Sequence, residues 1–139
     1  MAEVGDRAGV PGAILRRAVA AVLRGERAGR TSVTVTVLSV QRMRALNRRT
    51  FGRDRATDVI AFGMRHDRTR VGDVYVCPAV ARRSARRFGV AAREEVLRLV
   101  VHGTLHVLGY DHPTGATRTR SAMWRRQERY LARLLRRMT

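Results

Sequence analysis

Three of the chain's four histidines lie in one short stretch, HGTLHVLGYDH at residues 102–112. A helix would place His102 and His106 on one face with Cβ atoms about 5–6 Å apart, a spacing at which two imidazoles reach one zinc ion. Gly109 can end that helix in a left-handed conformation, so that the chain turns back and brings His112 to the same point. Three protein ligands leave a fourth position for water, which zinc activates near neutral pH. The spacing therefore predicts a catalytic site with one Zn²⁺ per chain.

The alternative is that these are ordinary histidines, one in the core and two near a helix end. The scarcity of histidine elsewhere and the position of Gly109 favour metal binding. Three imidazoles also suit nickel, copper or iron, so the identity of the metal stays open. Asp111 lies beside the third ligand, where it could orient a histidine or cap the turn. His66 lies in a polar segment and is predicted to be a surface residue.

The spacing HxxxHxxGxxH is also the ligand frame of the metzincin proteases. Those enzymes carry a glutamate beside the first histidine as the general base, and this chain has Gly103 there. Met123 is assigned to packing. No other side chain is an obvious general base, because structural hydrogen bonding explains Asp58 and Asp73 better. A metallopeptidase-like hydrolase therefore remains the less favoured function.

The charge of the chain points to a polyanionic partner. The 29 basic residues, all arginine, exceed the 11 acidic residues by 18. Arginine forms bidentate pairs with phosphate, so nucleic acid is the first partner to consider. Cys77 is the only cysteine, which excludes an internal disulfide and favours a reducing, cytoplasmic location. We expect no membrane association, because no apolar run approaches the roughly 20 residues of a membrane span.

The length of the chain predicts one domain over residues 1–139, because 139 residues are too few for two domains of normal size and the sequence contains no repeat or linker. Helices are predicted after Pro11, after a capping Ser39, between Pro78 and Gly89, over 93–109 and over 119–138, and the fourth of these is the central buried helix. Strands are predicted over 32–39, 57–62 and 72–77. Residues 47–56 are basic and turn-like, and a loop contains Gly63 and His66. These elements predict an α+β fold in which a mixed sheet of three to four strands is packed by about five helices.

Three motifs together resemble the YbeY family of single-strand-specific endoribonucleases. HGTLHVLGYDH resembles that family's HGxLHLxGYDH signature. Upstream, LNRRTFGRDRATDVIAF resembles the family's LNxxYRGKDxPTDVLSF, and GDVYVC resembles its GDIxIS strand. The resemblance runs in register from about Leu46 to His112.

The resemblance implies a function as well as a fold. It implies a zincin-like site in which zinc is held by His102, His106 and His112. It also implies cleavage of ribosomal RNA, chiefly at the 3′ end of the small-subunit RNA, and a role in ribosome quality control. The implied partners are single-stranded RNA, ribosomal RNA and the small ribosomal subunit, and we expect the chain to be a monomer.

One departure from the family pattern affects the predicted site. The family's YRG reads T50-F51-G52 here, so Phe51 stands where an arginine is usual. Four arginines flank this position, and Arg53 and Arg55 are the candidates to contact the scissile phosphate. The absent arginine favours a second alternative, a non-catalytic RNA- or ribosome-binding module with a structural metal. The N-terminal strand usual in the family is hardly present in AEVGDRAG, so we expect the sheet either to lack this edge strand or to begin with a very short one.

Overall fold

A computed structural model of the protein describes residues 2–3, 9–110 and 122–138. The elements are β1 (Ala2–Glu3), α1 (Gly12–Gly25), β2 (Thr31–Val37), α2 (Val40–Phe51), β3 (Val59–His66), β4 (Thr69–Val76), α3 (Pro78–Phe88), α4 (Ala92–Val107) and α5 (Ala122–Arg137). The sheet has the order β1-β2-β4-β3, in which β1, β2 and β4 are parallel and β3 is antiparallel to β4. The predicted α+β fold is confirmed, and of the two expected forms of the N-terminal edge the structure has the very short strand, β1. None of the helices in the described part of the chain is long and apolar enough to cross a membrane.

Helix α4 lies at the centre of the core, as its sequence predicts. Ten of its 16 residues are buried. It packs against β3 and β4 on one side, and α1, α3 and α5 also contact it. Because α4 is enclosed in this way, the two histidines that it carries have a fixed position relative to the sheet and to α5.

Three glycines allow α4 to approach the sheet closely. A Cβ atom on Gly103 would lie 2.6 Å from Cγ1 of Val74, which is fully buried in β4. A Cβ on Gly72 would lie 2.3 Å from Cγ1 of Val107, and one on Gly63 would lie 2.7 Å from the Val107 carbonyl oxygen. Side chains at these positions would push the helix away from the strands. Gly103 therefore belongs to the helix–sheet contact.

The helix ends follow the expected chemistry. The Ser39 hydroxyl accepts a hydrogen bond of 3.2 Å from the Arg42 backbone N–H and caps α2. Pro78 is at the start of α3, and Gly89 ends that helix with a φ of 68°. These predicted caps are confirmed.

Two predicted boundaries were wrong. The turn predicted over residues 47–56 begins only after Phe51, because α2 continues until Gly52 closes it with a φ of 69°. The loop predicted around Gly63 and His66 is part of β3, which pairs with β4 as far as His66 opposite Thr69. The exposed residues 63–66 show no alternation of apolar and polar side chains, so the sequence pattern misses an edge strand that backbone pairing stabilises. His66 is nonetheless exposed, as expected, with 87% of its side chain accessible.

We predict that Gly103→Ala destabilises the protein by about 1–3 kcal/mol, because overpacking a close helix–sheet contact forces the backbone or Val74 to move. Urea denaturation of the purified protein measures this change. Gly29→Ala is the matched control, since a Cβ at Gly29 meets no atom within 4 Å. Equal stability of Gly103→Ala and the parent chain would show that the contact is looser than described.

Candidate active site

His102 and His106 lie one turn apart on α4, and their ring centroids are 4.7 Å apart with an angle of 77° between the ring planes. The helix ends at the predicted turn, where Gly109 has a φ of 100°. There the Gly109 N–H donates to the His106 carbonyl at 2.9 Å, and the Tyr110 N–H donates to the Leu105 carbonyl at 3.1 Å. This pair of bonds is the Schellman motif. The predicted helix-borne pair and its left-handed turn are therefore both present.

The remaining predicted residues of the cluster, His112 and Asp111, lie outside the described residues. Within the described part of the chain, no group of three histidine, cysteine, aspartate or glutamate side chains is placed to hold a metal ion. The third ligand and its neighbour therefore remain predictions.

Gln127 of α5 orients His102. Its side-chain oxygen lies 2.6 Å from His102 Nδ1, and its amide nitrogen donates to Glu128 at 3.0 Å. Because the amide nitrogen is engaged by the carboxylate, the oxygen faces the imidazole, and Nδ1 must be the donor. This tautomer carries its lone pair on Nε2, the atom through which a histidine held in this way binds a metal.

An arginine connects the two helices behind this contact. The Arg98 guanidinium donates to Glu128 at 3.0 and 3.2 Å, to Glu95 at 2.8 Å and to Glu94 at 3.2 Å. Burial would lower the pKa of Arg98, but the carboxylates of Glu128 and Glu95 outweigh that effect and raise it. Arg98 therefore stays charged and holds Glu128 where the Gln127 amide requires it. Glu95 therefore has a structural role in this ion pair.

The histidines open into a cleft of about 930 Å³. Glu95 of α4 and Glu128 of α5 line the cleft, and Arg53 and Arg55 line it from the loop that follows α2. Asn47, which is buried in α2, donates from its amide to the Arg55 carbonyl at 2.9 Å and so fixes that loop. Asp54 lies between Arg53 and Arg55 in the sequence. Its carboxylate accepts hydrogen bonds of 2.8 and 3.0 Å from the Arg44 guanidinium.

The loop therefore brings both predicted arginines to the same cleft as the histidine pair. The other two arginines near Phe51, Arg48 and Arg49, are not among the residues that line the cleft. Arg48 instead forms an ion pair with Asp54, with 3.8 Å between its Nη1 atom and the carboxylate oxygen Oδ1. Asp58 also lines the cleft, and its backbone carbonyl accepts a hydrogen bond of 2.9 Å from the Cys77 N–H.

The chain leaving the histidine helix is anchored by Glu26, which follows α1. Its carboxylate accepts hydrogen bonds from the Tyr110 hydroxyl at 2.6 Å, from Arg126 at 3.0 Å and from the Tyr130 hydroxyl. Burial alone would raise the pKa of Glu26, but the two hydroxyls and the guanidinium hold it below its usual value. Burial and this carboxylate raise the pKa of Tyr130 to about 12. Glu26 thus connects α1, α5 and the turn after His106.

The orienting residues are the part of the site that the sequence patterns do not identify. Gln127, Glu128 and Arg98 come from two helices that meet only in the folded chain. One signal was present, because Gln127 is a polar residue in the otherwise apolar stripe of α5 and is only 2% exposed. A buried amide needs a partner, so its position in the stripe indicates a hydrogen bond in the core.

Comparison with known proteins places this α+β chain in a family. The family model described as Endoribonuclease YbeY matches residues 12–135. Endoribonuclease YbeY of Thermus thermophilus is 41% identical over 103 residues, covering 70% of this chain and 74% of the relative. That of Chlorobaculum parvum is 37% identical over 123 residues, covering 88% and 85%. The solution structure of TM1509 from Thermotoga maritima is similar with a TM-score of 0.67 and 26% identity, covering 99% of this chain and 89% of that one. The chain belongs to the YbeY endoribonuclease family.

We predict that Glu26→Gln lowers the free energy of unfolding by about 1–3 kcal/mol near neutral pH, because hydrogen bonds to a buried carboxylate are lost. The folded pKa of Glu26 lies below its reference value of 4.5, so its contribution is present above that pH and is lost as pH falls through the folded pKa. The difference between variant and parent should therefore shrink in acid. Urea denaturation from pH 7 to pH 3 checks this, with the exposed Asp67→Asn as control, and a difference that stays constant with pH would contradict it.

Proposed function

We propose that this chain is a zinc-dependent endoribonuclease that cleaves single-stranded RNA during ribosomal RNA processing. Its substrate is ribosomal RNA, at the 3′ end of the small-subunit RNA, and it takes part in ribosome quality control in the cytoplasm. It acts as a monomer that meets the small ribosomal subunit. The observation that carries the proposal is the cleft that joins an oriented histidine pair to two arginines, in a chain of the YbeY family.

The donor set fits zinc. His102 and His106 present two imidazoles from one helix face, and Gln127 selects the tautomer of His102 whose Nε2 can bind a metal. His112 would supply the third nitrogen. Zinc would contribute Lewis-acid chemistry at the scissile phosphodiester. The residues of the chain then have separate tasks. Gln127 holds the ring of His102 in place. Arg53 and Arg55 bind phosphate and offset the negative charge that develops during cleavage.

The peptidase alternative loses support in the structure. The position of the protease general base is Gly103, and a Cβ there would already lie 2.6 Å from Val74. A glutamate cannot occupy this side of α4 without displacing the helix from the sheet. The net charge of +18 also disfavours a function that gives no role to phosphate. The non-catalytic module differs from the proposed enzyme only in cleavage, so one assay separates them.

The assay offers single-stranded RNA and, separately, a casein substrate to purified protein with zinc and after removal of zinc by a chelator. We predict zinc-dependent cleavage of the RNA and no cleavage of casein. His106→Ala should lose bound zinc and RNA cleavage together, because it removes a metal ligand from the cleft. His66→Ala is the matched control, since that histidine is exposed outside the cleft and should leave both unchanged.

Three outcomes would contradict the proposal in different ways. Bound zinc without RNA cleavage would support the non-catalytic module. Casein cleavage that depends on His106 would support the peptidase. RNA cleavage that survives His106→Ala would indicate a contaminating ribonuclease.

A second prediction concerns Gln127. We expect Gln127→Leu to weaken zinc binding about 10–100-fold, because loss of a group that orients a ligating histidine typically has this effect. Competition with a chromophoric chelator measures the affinity directly, without an activity assay. Arg129→Ala on the exposed face of α5 is the control. Unchanged zinc affinity in a folded Gln127→Leu protein would show that the hydrogen bond to His102 does not position a ligand.

A further inference from the structure

The cleft contains exposed aromatic side chains. Among the described residues, the large hydrophobic side chains that are exposed are Phe51, Phe88, Met64 and Val71. Phe51 is 54% exposed and Phe88 is 70% exposed, and these two line the cleft beside the histidine pair, whereas the other two lie on the sheet strands β3 and β4. Exposed rings in a concave site that two loop arginines also line indicate a ligand with flat, apolar faces.

Phe51 is held in a defined orientation. It is the last residue of α2, and Gly52 turns the chain directly after it. Its ring stacks against Phe62 with a centroid distance of 6.2 Å and an interplanar angle of 15°, and Phe62 in turn contacts Tyr75 edge-on. Phe62 therefore supports the ring from one side while more than half of Phe51 remains accessible. A ring fixed in this way loses little conformational freedom when a ligand stacks on it.

The residues around Phe51 complement the rest of a nucleotide. Arg53 and Arg55 follow it in the loop that Asn47 fixes, and both line the same cleft. An aromatic ring beside cations is the combination that proteins use for single-stranded nucleic acids, in which bases stack on rings and phosphates meet positive charge. A base within a duplex has both faces covered by its neighbours, so such a ring selects unpaired bases.

We propose that Phe51 is a base-stacking platform, on which an unpaired base of the RNA lies while Arg53 and Arg55 bind the neighbouring phosphates. This inference rests on the proposed function and specifies how the cleft recognises its substrate. Phe51 thus contributes a contact that does not depend on salt, at a position where the family resemblance has a cation. The contact recognises bases without selecting a sequence, because every base has a flat face.

The test is fluorescence anisotropy with a short labelled single-stranded RNA across a range of salt concentrations. All proteins carry His106→Ala, so that RNA is bound and not cleaved. Phe51→Leu should weaken binding about 5- to 150-fold at every salt concentration, which is the range for one stacked base. Its slope of log affinity against log salt should equal that of the parent. Phe51→Trp should bind as well as the parent, and Met64→Leu, outside the cleft, should change nothing.

Two further arms separate stacking from charge. An abasic oligonucleotide with the same ribose–phosphate chain should bind equally to the parent and to Phe51→Leu, because it has no base to stack. Arg53→Ala should instead reduce the magnitude of the salt slope by about 0.7, the value expected for one phosphate contact to a single strand. Phe51→Arg should increase the magnitude of that slope. It should also bind normal and abasic RNA with equal affinity.

The stacking platform is excluded if Phe51→Leu binds RNA as tightly as the parent, or weakens binding to normal and abasic chains equally. If the parent binds RNA and Phe51→Leu does not change its affinity, the proposed function is retained and only the base-stacking role of Phe51 is rejected. If neither the zinc-loaded chain nor its His106→Ala variant binds single-stranded RNA, both are overturned. Circular dichroism of each variant confirms that the exposed substitutions leave the fold intact.

Discussion

The contact between α4 and the sheet determines where every other part of the site lies. Gly103 meets Val74 of β4, and Gly63 and Gly72 meet Val107 near the end of the helix. This close approach buries one side of α4 and leaves the face with His102 and His106 directed toward the cleft. It also explains why the protease general base cannot occur here, since the position that would carry it is inside the helix–sheet contact.

Helical spacing places His102 and His106 on one face of α4, and a further set of contacts orients the His102 ring. Gln127 sets the tautomer of His102, Glu128 sets the amide of Gln127, and Arg98 holds Glu128 through two hydrogen bonds. Glu95 and Glu128 of this network line the same cleft as Arg53 and Arg55 of the loop. The cleft therefore offers carboxylates as well as guanidinium groups, although the chain as a whole is strongly basic.

The parts of the site that depend on local spacing could be predicted from the sequence. The histidine pair follows from helical periodicity, and the left-handed turn at Gly109 follows from the conformational freedom of glycine. The orienting network could not be predicted, because Gln127 lies 25 residues beyond His102 in the chain and only tertiary packing brings the two together. The length of β3 was missed for a related reason, since its exposed outer half depends on pairing with β4 and not on its own residues.

The departure at Phe51 has a structural account of its own. Its ring lies on Phe62 at the rim of the cleft, close in sequence to the arginines that the loop presents. Compared with the family pattern, the cleft therefore lacks one arginine, keeps Arg53 and Arg55, and gains the apolar surface of the Phe51 ring. The site accordingly combines charge, which draws in RNA, with a ring that can discriminate between paired and unpaired bases.

X-ray absorption at the zinc K edge of the purified protein identifies the atoms that bind the metal. We predict one zinc per chain, bound by imidazole nitrogens at about 2.0–2.1 Å and without sulfur. A chain with both His102→Ala and His106→Ala should then retain no zinc. Zinc bound through the sulfur of Cys77, or zinc that remains in the double variant, would contradict the account.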